Sequence, residues 1–286
     1  MPKISRRKLL TTSPALAAVA AASALPVGAA RNQDLPASSA APGDLPEAHR
    51  KKKLKVVFVG AHTDDWTSCM GTLARYAALG HDVLIISCTR GNSVSISDVT
   101  HKPLDELAAE RRDQAARGAK MIGARNLILQ EDEMRMRVDP ASYQRFNKVL
   151  IPEKPDVVIG LWLVDAHPDH RAAANLAYNA WLQSGMDFAL YLCETPGGTE
   201  TDMQRFIPNH YVDVESVTNL KRQSFLADPL MKSAWPTNEL WARFRGREHG
   251  CQYVEAFIHV HTTATMPERN LYPNWWYWGG LRLNGK

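Results

Sequence analysis

Leu54-Lys55-Val56-Val57-Phe58-Val59-Gly60-Ala61-His62-Thr63-Asp64-Asp65 reads as a strand that runs out into a loop of metal-competent side chains. Leu54 to Val59 is short, apolar and β-branched. From about Trp66 to Leu79 the pattern turns helical, and Gly80 stops it, which makes one βα unit. The pattern then repeats. A strand at Asp82 to Ser87 precedes a charged helix from about Pro103 to Ile122, in which Leu104, Leu107, Ala108, Arg111, Ala115 and Ala119 recur at helical spacing. Asn126 to Leu129 reads as a third strand, Asp139-Pro140 as the cap and first turn of a helix reaching Leu150, and Asp156 to Leu161 as a fourth strand. Beyond Asp187 come shorter strands, Phe188 to Cys193 and Tyr253 to Val260, with helical stretches near Val217 to Leu226 and Asn238 to Arg245. Continuous apolar strands alternating with helices predict an α/β fold, a Rossmann-like three-layer sandwich whose mostly parallel sheet is covered on both faces. In such sheets ligands bind at the carboxyl ends of the strands, so the residues just after each strand are the ones to inspect for chemistry.

With 286 residues and 45% hydrophobic content, the chain can bury a sizeable core. Of its 34 basic residues, Lys3, Arg6, Arg7 and Lys8 lie in an N-terminal stretch without an acid; the remainder balances 30 against 30. That neutrality gives no footing for nucleic-acid binding, which depends on clustered cations. Ser5-Arg6-Arg7-Lys8-Leu9-Leu10, an Ala-rich stretch from Pro14 to Leu25 and the small residues Gly28-Ala29-Ala30 resemble a twin-arginine export signal over residues 1–30. The apolar stretch is too short and Ala-rich for a stable membrane span, which predicts a soluble mature protein in the periplasm or outside the cell. Residues 31–53, rich in Pro, Ala and Ser and ending in His49-Arg50-Lys51-Lys52-Lys53, read as a linker, and residues 54–286 as one domain. Cys69, Cys88, Cys193 and Cys251 show no C-x-x-C spacing, so they form neither a zinc knuckle nor a redox motif.

Two strand ends carry the chemistry: Gly60-Ala61-His62-Thr63-Asp64-Asp65 and Asp165-Ala166-His167-Pro168-Asp169-His170. A catalytic zinc site takes three nitrogen or oxygen ligands and leaves a position open. His62 and Asp65, with a histidine from the second loop, meet that count. An isolated Asp or His at these places would read as a helix cap; two clusters that together complete one site favour a metal.

These motifs resemble the PIG-L/LmbE superfamily of zinc-dependent N-deacetylases, which carry A-H-P-D-D after the first strand and H-P-D-H after a later one. Thr89-Arg90-Gly91, Glu110-Arg111-Arg112 and Tyr253-Val254-Glu255-Ala256-Phe257 follow in the family's order. The resemblance implies His62, Asp65 and His170 as ligands of Zn2+ or another divalent transition metal, and Asp64 as the general base that takes a proton from water. It implies a protonated His167 as the second catalytic group, steadying the oxyanion, and Arg90 as a substrate-binding residue that grips sugar hydroxyls. The implied reaction is hydrolysis of the N-acetyl group of a small amino sugar or related glycoconjugate.

Two positions depart from the pattern. Thr63 replaces Pro, which removes a fixed φ and predicts a softer ligand loop; Trp66 replaces Glu and is expected either to wall the pocket or to stack on a sugar. The aromatic tail Tyr272-Pro273-Asn274-Trp275-Trp276-Tyr277-Trp278 reads as packing more than as a carbohydrate platform, and His210 as a residue able to approach the pocket rim. Two other functions fit parts of the chain. An exported, non-catalytic carbohydrate-binding protein on the same scaffold has no use for Asp64, and a nucleotide-binding Rossmann domain lacks its G-x-G-x-x-G turn.

Overall fold

The structure, a computed structural model, describes residues 53–196, 204–227 and 231–260. The expected export signal, nearly all of the linker and the aromatic tail lie outside the described residues.

A seven-stranded sheet organises the rest. Its strands are β1 (Lys55–Gly60), β2 (Asp82–Thr89), β3 (Arg125–Glu131), β4 (Val157–Leu161), β5 (Ala189–Cys193), β6 (His210–Asp213) and β7 (Val254–His259), in the order β3-β2-β1-β4-β5-β7-β6. The first five run parallel, and β7 adds antiparallel to β5, with β6 antiparallel beyond it. The expected mostly parallel α/β sandwich is therefore the observed one. Val56 to Val59 and Val158 are wholly buried, as strands covered on both faces must be.

The helices are α1 (Met70–Ala78), α2 (Val94–Thr100), α3 (Leu104–Met121), α4 (Pro140–Leu150), α5 (Pro168–Gln183), α6 (Thr218–Ala227) and α7 (Trp235–His249). Asp139 caps α4 through a bond from the Ser142 amide to Oδ1 (2.7 Å), with Pro140 in the first turn, as the Asp-Pro pair predicts. The chain crosses from β1 to β2 and β3 on one side, then returns to place β4 on the other side of β1. Strand order thus reverses between β1 and β4, the switch point at which sheets of this kind open a crevice.

Two features of the loops depart from the sequence reading. The helix expected from Trp66 begins instead with a tight 3-10 turn at Asp65–Cys69 before α1 starts at Met70, and α2 and β6 were not legible from periodicity. His210 sits in β6, where its ring lies 4.9 Å from that of Tyr191, so it belongs to the antiparallel end of the sheet.

Candidate active site

The loop after β1 is shaped by Asp65. Its Oδ2 accepts hydrogen bonds from the amides of Ala61 (2.7 Å) and His62 (2.8 Å), curling the chain so that Oδ1 faces the His62 ring. The His62 Nδ1 atom lies 3.4 Å from Asp65 Oδ1 and 3.1 Å from His170 Nε2, and the last edge of the triangle, His170 Nε2 to Asp65 Oδ1, is 3.2 Å. His170 arrives from the first turn of α5, after β4. The two clusters that are 108 residues apart in sequence meet because β1 and β4 are neighbours.

The other face of each imidazole meets a second carboxylate. His62 Nε2 lies 3.4 Å from Asp169 Oδ2, and His170 Nδ1 lies 3.0 Å from Asp165 Oδ1. Asp169 also accepts the Met134 amide (2.6 Å), and Asp165 accepts the Thr195 hydroxyl and the His167 amide. Carboxylates behind metal-binding histidines fix ring orientation and tautomer. Motif reading passed over Asp165 and Asp169 as partners of the two imidazoles, although both stand inside the second stretch.

Charge is concentrated here. Burial disfavours the cationic imidazoles, yet Asp65, with Asp169 for His62 and Asp165 for His170, outweighs it: His62 is pushed up to about 11 and His170 to about 10. Burial likewise opposes ionisation of Asp65, but the two histidines hold its carboxyl well below the usual range.

A tetrahedral site with bonds of about 2.0–2.1 Å has ligand–ligand edges of about 3.3–3.4 Å. The 3.1, 3.2 and 3.4 Å edges of the His62, Asp65 and His170 triangle fit that size, and two nitrogens with one carboxylate oxygen are donors that zinc accepts. His167 brings a third imidazole alongside, with the nitrogens of His62, His167 and His170 within 4.8 Å of one another.

His167 caps α5: its Nδ1 accepts the Asp169 amide (3.2 Å). An accepting nitrogen carries no proton, and burial together with the neighbouring His62 and His170 lowers its pKa. In this arrangement the ring is neutral and donates from Nε2. Asp64 sits at the start of the 3-10 turn without a side-chain cap bond, and Arg111 Nη2 donates to its Oδ2 (2.5 Å). Arg90 is engaged by Asp132 Oδ1 (2.8 Å from Nε) and Asp105 Oδ1 (2.7 Å from Nη1). These pairs engage Nε and Nη1, so a sugar contact from Arg90 falls to the remaining donors of its guanidinium, Nη2 among them.

The loop is tighter than the loss of Pro at Thr63 predicts. Thr63 is buried, and the Trp66 indole N–H donates to its carbonyl (3.0 Å). The Trp66 ring is buried against Gly118 of α3, where a Cβ would come within 2.6 Å of it. Trp66 is thus a wall and a clamp, with no face left for stacking on a sugar. Beyond it a cavity of about 170 Å³ opens between α3 and α6, lined by Asp64, Trp66, Arg111, Gln114, Phe225 and Met231 among others.

With this geometry in hand, comparison with known proteins assigns the scaffold. The stretch from Val57 to Trp181, which contains both strand-end motifs, matches the PIG-L family, described as GlcNAc-PI de-N-acetylase. The match takes in a little under half of the chain. A 1D-myo-inositol 2-acetamido-2-deoxy-alpha-D-glucopyranoside deacetylase of Corynebacterium diphtheriae is 28% identical over 175 residues, which are 52% of this chain and 58% of that protein. The chain therefore spans a little over half of that relative's length.

Among solved structures, the chain is similar to the N,N'-diacetylchitobiose deacetylase of Pyrococcus horikoshii (TM-score 0.62, 23% identity, 77% of this chain and 88% of that one). It is equally similar to GalB, the 4-carboxy-2-hydroxymuconate hydratase of Pseudomonas putida (TM-score 0.65, 19% identity, 73% and 97%). At these identities the likeness shows the fold, and the two names attached to that fold are different reactions.

Proposed function

We propose that the chain is a zinc-dependent hydrolase that removes the N-acetyl group from an amino sugar or related glycoconjugate. The observation that carries this reading is the triangle of His62 Nδ1, Asp65 Oδ1 and His170 Nε2, with edges of 3.1 to 3.4 Å, set within a PIG-L match. His62, Asp65 and His170 hold the metal, and Asp165 and Asp169 orient the two imidazoles. Zinc when bound supplies Lewis acidity, polarising a carbonyl and easing the ionisation of water near neutral pH.

The chain's own residues do the rest. Asp64, next to the ligand Asp65 but with its carboxylate outside the triangle, takes the proton from the attacking water. His167 donates from Nε2 to the oxygen on which charge develops, and its cap bond from the Asp169 amide keeps the ring aimed. Arg90, between Asp132 and Asp105, stands at the carboxyl end of β2 as the residue to receive sugar hydroxyls. The export-like N-terminus favours a substrate outside the cytoplasm. Acetate release from N-acetylglucosamine, its glycosides and N,N'-diacetylchitobiose, measured on the zinc-loaded chain and on Asp64→Asn, tests the reading: release by the first and its loss in the second support it. Zinc-loaded protein that releases no acetate from any of these, yet hydrates an unsaturated carboxylate, would assign it to the other reaction seen on this fold.

A further inference from the structure

Asp64 has an orientation problem that Asp65 does not. Asp65 uses one oxygen on two backbone amides and turns the other to the imidazoles, so the loop itself aims it. Asp64 occupies the residue before the 3-10 turn, where an aspartate ordinarily binds a helix amide, and makes no such bond. Its carboxylate is partly open to solvent, at 29% exposure, and one of its oxygens meets the side chain of Arg111 on α3.

Arg111 is placed to aim it. Its guanidinium is buried and forks, Nη2 to Asp64 Oδ2 at 2.5 Å and Nη1 to Gln114 Oε1 at 3.1 Å. A planar fork with donors in fixed directions holds a carboxylate plane in a way that a lysine ammonium cannot. The stem is held as well. Gly91, in the left-handed region at φ +79°, leaves space where a Cβ would lie 2.7 Å from Arg111 Cβ and 3.3 Å from Thr63 Cγ2. The loops after β1 and β2 thus close around the arginine side chain. His62 and His170 have carboxylate partners of their own, Asp169 and Asp165.

We infer that Arg111 is a positioning residue that sets the Asp64 carboxylate for proton transfer, holding Oδ2 so that Oδ1 is the oxygen offered to water. The inference rests on Asp64 acting as the base. Loss of such a constraint misplaces the base without emptying the metal site, and misplacement of about 1 Å can cost about a hundredfold in rate.

The test uses the full chain loaded with zinc and N,N'-diacetylchitobiose, or whichever N-acetyl sugar of the panel releases acetate best. Arg111→Ala is expected to lower kcat about a hundredfold with KM within about threefold and zinc per chain unchanged. Guanidinium at millimolar concentration, well below denaturing levels, is expected to restore about tenfold of that loss, and Arg111→Lys to retain a cation but aim the base poorly and be rescued little. In an Asp64→Asn background Arg111→Ala is expected to change the residual rate less than twofold. Unchanged kcat in zinc-loaded Arg111→Ala, or a kcat loss that follows zinc loss or unfolding and ignores guanidinium, would overturn the inference. If Arg111→Ala does not fold, the Arg111→Lys kcat decides the matter, wild-type kcat overturning the inference. Full activity in Asp64→Asn would instead remove the base assignment itself, a separate failure.

Discussion

Asp64 and Asp65 are adjacent in sequence, yet the turn sends their carboxylates to different sides. Asp65 is buried at the donor triangle and clamps the amides of Ala61 and His62; Asp64 is partly exposed beside Arg111. Replacing His62 or His170 by Ala should therefore cut bound zinc from near one per chain to a small fraction, whereas Asp64→Asn should keep zinc and lower acetate release by about 10²–10⁴-fold. Elemental analysis of the purified variants beside their turnover separates the two classes. The same distinction applies to Trp66. Its buried ring should make Trp66→Ala cost about 3–5 kcal/mol, while Trp66→Phe, which loses the bond to the Thr63 carbonyl, should cost about 1 kcal/mol plus a smaller packing loss. Urea unfolding of both variants measures it, and a Trp66→Phe variant as stable as the unsubstituted chain would mean that the indole N–H contributes nothing to the loop.

The supporting elements show which parts of a sequence speak for themselves. β1, β2 and β4 were legible as continuous apolar runs and α3 by its helical period, and the candidate site was legible because metal-competent residues cluster at the ends of β1 and β4. α2 was not legible, since its seven residues are too short to build a period and bury no side chain. Nor was the pinning of the Thr63 loop, which depends on a contact between Trp66 and α3 that local sequence does not encode. Asp165 and Asp169 were hidden by their company, because a carboxylate close to a candidate histidine reads as spacing. A further buried network lay beyond reach for the same reason: Glu255 of β7 accepts the amides of Gly71 and Thr72 at the start of α1 and pairs with Lys221 of α6 at 2.8 Å. Glu255→Ala leaves the Lys221 cation and two amides buried without their acceptor. It should lower stability by about 3–5 kcal/mol in thermal or urea unfolding, and a loss below 1 kcal/mol would show that the network contributes little.

Over the whole molecule, the sheet brings two carboxylate-backed histidines and Asp65 to one point, and in the absence of metal that point holds protons. With His62 pushed up to about 11 and His170 to about 10, the pairings add stability that is fully present below about pH 6.5 and is lost as pH rises through the folded values. Zinc must displace those protons. Its affinity should fall about a hundredfold for each unit of pH lost near neutrality, with about two protons released per ion, read from calorimetry in buffers of differing ionisation enthalpy; affinity flat between pH 6 and 8 would place the metal elsewhere. The fold supplies this point and leaves the reaction open, as the hydratase with the same architecture shows. No helix among the described residues is long and apolar enough to cross a membrane, and the twin-arginine-like segment makes export a proposal of its own. The central claim is that this chain uses a metal held by His62, Asp65 and His170 to hydrolyse an N-acetyl group. Acetate release from N,N'-diacetylchitobiose and other N-acetylglucosamine glycosides should be followed on chelator-stripped protein, then after one equivalent of zinc. The account predicts no release from the stripped protein and recovery at one zinc per chain, whereas release that is unaffected by stripping, or absent with the site full, would contradict it.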